Sequence, residues 1–93
     1  MQENRKLTYA FVSFAYLKEE WMGKLGEPLH KEMDRVKAEA EKKGFHMKYW
    51  GHPYGVAENM MVVYVSEKGL DDYHNMGVNA PYSGNRTVLA YRD

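Results

Sequence analysis

The chain has 93 residues, no cysteine, and thirteen basic side chains balanced by thirteen acidic ones. That length suits one domain, 1–93, with a core that holds without staples. Lack of cysteine excludes disulfides, thiolate metal sites and thiol nucleophiles, and fits the cytoplasm. A neutral chain with no basic block also lacks the phosphate-neutralising charge on which non-specific nucleic-acid binding depends, so no nucleic-acid partner is expected.

The opening Met1–Lys6 is polar, and the apolar run behind it is too short for a bilayer and lacks a small-residue cleavage site. Neither leader nor membrane anchor is therefore expected. Leu7–Tyr16 is the first predicted strand and is apolar at both odd and even positions. Leu17–Gly26 carries Trp21, Met22 and Leu25 among charges and is read as a loop or single helical turn over something apolar. A long helix opens at Gly26-Glu27-Pro28, where the proline's missing N–H costs nothing. Leu29, Met33, Val36 and Ala40 form its apolar stripe, and Gly44 is the expected left-handed stop.

Phe45–Trp50 is a second strand, alternating Phe45, Met47 and Tyr49 against His46, Lys48 and Trp50. The turn residues Gly51-His52-Pro53-Tyr54-Gly55 connect it as a hairpin to Asn59–Ser66, again apolar on both faces. Glu67–Met76 reads as a short helix stopped by Gly77. Val78–Gly84 reads as a loop and Arg86–Tyr91 as the last strand.

Strand, helix, strand, strand, helix, strand is the split β-α-β, or ferredoxin-like, arrangement: an α+β fold with a four-stranded antiparallel sheet and both helices on one face. Its first and third strands are central, and those are the two with apolar side chains on both faces. The helices cover one face only. The other, roughly 20 by 23 Å, calls for a second copy packed sheet to sheet as a homodimer.

On this element order, and on Met61-Val62-Val63-Tyr64-Val65-Ser66-Glu67-Lys68 running on to Leu70 and Tyr73, the chain resembles the dimeric α+β barrel superfamily. That group includes small cofactor-free monooxygenases, muconolactone-isomerase-like enzymes, stress-responsive barrel proteins and haem-degrading members. The resemblance implies a homodimer with a small organic ligand held between helices and sheet of each subunit, and no cofactor. Haem-degrading members carry a histidine on the second helix; His74 falls about one turn too early.

Tyr16, Trp50 and Tyr64 are the candidate ligand-binding residues, with His52 and His74 as candidate polarising or catalytic groups. Trp50 and His52 share strand parity and would line one wall, and imidazole titrates near neutrality, as a proton acceptor for a phenol or lactone must. The four histidines lack the convergent spacing of a metal site, so no metal is expected. Arg86 and Arg92 would meet an anionic ligand or guard an edge strand. Three functions follow: a dimer binding a small aromatic or apolar metabolite, a cofactor-independent monooxygenase or isomerase with a histidine base, or a purely structural or interaction dimer.

Overall fold

The computed structural model describes residues 7–92; the polar segment Met1–Lys6, read above as neither leader nor anchor, and Asp93 lie outside them. The described elements are β1 (Thr8–Leu17), a 3-10 turn (Glu19–Trp21), α1 (Glu27–Lys42), β2 (His46–Gly51), β3 (Met60–Ser66), α2 (Leu70–His74) and β4 (Tyr82–Arg92). The strands form one antiparallel sheet in the order β2-β3-β1-β4. The two doubly apolar strands are therefore its centre, as expected. The class is α+β, with four antiparallel strands and two helices.

Burial settles which parity faces the helices. On β1 the odd residues Phe11, Ser13, Ala15 and Leu17 are buried, and on β3 the even residues Met60, Val62, Tyr64 and Ser66. Leu29, Met33, Val36 and Ala40 of α1 pack on this side and are fully buried. Burying each of the three larger ones stabilises the fold by about 1.5–3 kcal/mol. Pro28 lies in the first turn of α1, and Gly44 beyond its end takes φ +89°, which a side chain would strain. The 3-10 turn lays Trp21 against the same core.

The opposite face carries Ala10, Val12, Phe14 and Tyr16 of β1, Met61, Val63 and Val65 of β3, Tyr49 of β2, and Val88 and Ala90 of β4, and among the described residues no helix lies over it. Tyr16, Tyr49 and Val88 are 43%, 62% and 54% exposed.

Three features depart from the sequence expectation by more than a one-residue shift of an element's end. In β2 the alternation breaks: Met47 faces Tyr64, but Tyr49 faces Val63, so Lys48 is an extra, bulged residue. The bulge turns Tyr49 to the open face and Trp50 to the helix side, where its ring meets His30 at 4.8 Å. The last strand begins at Tyr82, not Arg86, because β1 runs on to Leu17 and offers its edge as far as Tyr82. Asn85 is bulged out of that ladder between Gly84 and Arg86. The second helix is five residues, shorter than the predicted Glu67–Met76. Ser66 Oγ accepts from the Lys68 N–H and so turns the chain away from helix there, while Gly77, at φ +69°, ends the segment.

Candidate functional site

A short α2 has a direct consequence. With five residues and none of them buried, it leaves the helix side of β4 bare. Beneath it the sheet presents small residues, Ser13 on β1 with Gly84 and Thr87 on β4. Small side chains below and a short helix above leave a cleft of about 620 Å³ between α2, the segment that follows it, and β4. That segment is pinned at its far end, where the Lys18 N–H donates to the carbonyl of buried Pro81 at 2.9 Å.

Aromatic rings and hydroxyls make the walls. Tyr73 from α2 stacks on Phe11 with centroids 4.4 Å apart and planes within 8°. It also packs edge-on against Tyr64 at 6.0 Å. Its hydroxyl bonds Ser13 Oγ, which bonds Thr87 Oγ1 at 2.8 Å. The hydroxyls of Tyr64 and Tyr82 neighbour each other. Burial pushes the Tyr82 hydroxyl up to about 12 and raises that of Tyr64 further. Both are neutral phenols at physiological pH, able to donate and accept hydrogen bonds but not to act as phenolate bases. Met76, Val78 and Leu89 add apolar surface, and His74 stands at the exposed rim.

Of the five candidate site residues, Tyr64 and His74 line this cleft, and Arg86 lines it too. Tyr16 stands on the open sheet face. Trp50 and His52 do meet, their rings edge to face at 6.0 Å, but at the β2 end of the sheet. There the His52 Nδ1–H donates to the Asn59 carbonyl at 3.0 Å. The five candidates therefore do not form one site. Ser13, Tyr73, Tyr82 and Thr87 were missed. Ser13 carried a signal, as a hydroxyl in the middle of a strand apolar on both faces, since a buried hydroxyl needs a partner.

A charged cluster sits beside the cleft at the β4 bulge. Glu58, whose side chain is 2% exposed, accepts from Arg86 Nε at 2.6 Å, Arg86 Nη2 at 3.1 Å and Asn85 Nδ2 at 2.9 Å. The Arg86 guanidinium, with help from Asn85, holds the Glu58 carboxyl down at about 2. The same guanidinium lies 4.7 Å above the Phe14 ring. Its charge thus has a carboxylate partner already, against the expectation of an anionic ligand. Elsewhere His46 Nδ1 meets the Glu41 carboxylate at 2.8 Å.

Among the described residues no three His, Asp or Glu side chains gather as a metal site, and no helix is long and apolar enough to cross a membrane. No family model, curated protein or solved structure matches the chain.

Proposed function

We propose that the protein is a homodimer of ferredoxin-like subunits, paired through the open sheet face as a dimeric α+β barrel, and that each subunit binds a small aromatic or apolar organic molecule in the helix-side cleft. The observation that carries the binding half is the cleft itself, walled by Tyr64, Tyr73 and Tyr82 and floored by small residues. Its volume falls within the range of roughly 300–1,000 Å³ usual for small-molecule sites. The dimer half rests on the ten apolar side chains of the opposite face. Their footprint of roughly 450 Å², larger once side-chain relief is counted, is a little over half of the ~800 Å² that each partner of a stable complex buries.

Native mass spectrometry tests both halves. A dimer mass is expected, with added mass where a cell-derived ligand stays bound. A monomer at micromolar concentration would refute the pairing. In a protein stripped of ligand, Tyr73→Ala opens the stack and is expected to weaken recapture of any identified ligand; unchanged affinity would place the ligand elsewhere.

One observation favours a second reading, a cofactor-independent oxygenase or isomerase: His74 stands at the rim of the same cleft. On that reading His74→Ala abolishes turnover of an identified substrate while the dimer survives, and His52→Ala, at the other end of the sheet, leaves turnover unchanged. Equal activity in wild type and His74→Ala would eliminate the histidine-base mechanism.

A further inference from the structure

The open face has a register of its own, because the four strands align their outward side chains in rows. The middle row runs Tyr49, Val63, Val12 and Val88, from β2 across to β4. The next row, toward the connection between β2 and β3, starts at Gly51 and ends at Arg86. Bulk is unevenly spread along them. At the β2 edge the Tyr49 ring leans over Gly51, where a Cβ would lie 3.1 Å from it. At the β4 edge Val88 is the smaller side chain, and Arg86 is drawn down over the Phe14 ring with its charge met by Glu58. One edge is therefore raised and the other low, and neither row brings an unpaired charge to a contact.

Sheets stacked face to face lie about 10 Å apart, with strand directions within about 30° of each other. A two-fold axis can relate two such sheets in two ways. An axis running across the strands sets each strand on its own copy. The two Tyr49 rings then share one edge and the two Val88 side chains the other, so the sheets wedge apart at β2 and the contact is not filled. An axis running along the strands, between β1 and β3, sets β2 on the partner's β4. Tyr49 then meets the partner's Val88 at both edges, Val63 meets the partner's Val12, and the spacing is even.

We propose that the open face binds a second copy in this second way, β2 over β4, with each Tyr49 ring seated on the partner's Val88. This rests on the homodimer reading above and adds which strands meet. Because the ring leans toward Gly51, it also reaches toward the partner's Arg86, and a guanidinium is a favourable neighbour for a tyrosine face.

Opposite charges placed on the two edges test the register. Tyr49→Glu and Val88→Lys are made singly and together in the full chain, and the dimer dissociation constant is measured by analytical ultracentrifugation at low salt. Both positions are exposed within one subunit, so the fold is expected to survive, which circular dichroism melts check. Within one chain they stand three strand spacings apart, roughly 14 Å, too far to pair with each other. Each single substitution is expected to weaken the dimer about tenfold or more. The double variant is expected to recover most of that loss, since each carboxylate meets an ammonium group of the partner, and added salt should erase the recovery.

A double variant weaker than either single would mean that like strands meet, carboxylate on carboxylate, and the register is wrong while the dimer stands. Singles that dimerise as tightly as the wild type would place both edges outside the contact and overturn the register too. A wild-type chain that is monomeric in the same experiment removes the homodimer reading itself.

Discussion

At the scale of single residues, Glu58 is the group whose ionisation the fold depends on most visibly. Its carboxylate is nearly sealed from water and takes three hydrogen bonds, two from Arg86 and one from Asn85. Because these hold its folded pKa near 2, below the ordinary carboxylate value of 4.5, the folded state binds fewer protons than the unfolded chain between those limits. The stability it contributes is therefore whole above about pH 4.5 and drains away as pH falls toward 2. Glu58→Gln should lower the melting temperature by several degrees at pH 7, with the gap to wild type closing by about pH 2, as circular dichroism melts would show. A gap independent of pH would mean that packing, and not the ion pair, is what the substitution removes. The pair was not legible from the sequence, since its partners stand 27 and 28 positions apart and Glu58 reads locally as one more polar loop residue.

At the scale of elements, the two bulges differ in kind. Lys48 is an extra residue in β2, and its removal would leave Met47 opposite Tyr64 and Tyr49 opposite Val63, an unbroken ladder. Deleting Lys48 should therefore leave the fold intact, with a melting temperature near wild type and the near-ultraviolet dichroism of Trp50 retained. Deleting Met47 instead would force Lys48 opposite Tyr64 on the buried side, and that variant should not fold. If the two deletions behave alike, Lys48 is not the extra residue of β2. The bulge in β4 has a task of its own, since Asn85 hydrogen-bonds Glu58. Helix α1 could be read from its apolar stripe, its proline and Gly44, all local signals. The break in β2 could not, because Met-Lys-Tyr-Trp satisfies simple alternation equally well. What decides it is tertiary: the indole of Trp50 packs with the His30 ring of α1 and against the core.

At the scale of the whole molecule, the sequence was most legible. Two strands with apolar side chains on both faces demanded a central position and two covers, and both strands are central. The cleft was legible only in part, because its hydroxyl chain joins residues 60 and 74 positions apart and its volume arises from what is missing, side chains at Gly84 and turns of α2. The proposed pairing makes a prediction at this scale. Val63 stands at the middle of the open face, between Tyr49 of β2 and Val12 of β1. Val63→Arg should convert a dimer to a folded monomer in light scattering, while the stack of Tyr73 on Phe11, on the other side of the sheet, keeps its near-ultraviolet signal. A variant that remains dimeric would show that the copies meet elsewhere.

The position of β4 beside β1 also fixes an order of events in time. Thr8 faces Arg92 across that ladder, and Leu17 faces Tyr82, so the first of the described strands is flanked by the last. While the ribosome is still adding residues 18–81, β1 has at least one long edge with no neighbour, and Ser13 lacks at least one of its two hydroxyl partners. Pairings so distant in sequence are slow to close. The sheet is thus completed only after residues 82–92 have left the exit tunnel, and a nascent chain stalled short of them would carry an apolar strand open to any other chain nearby.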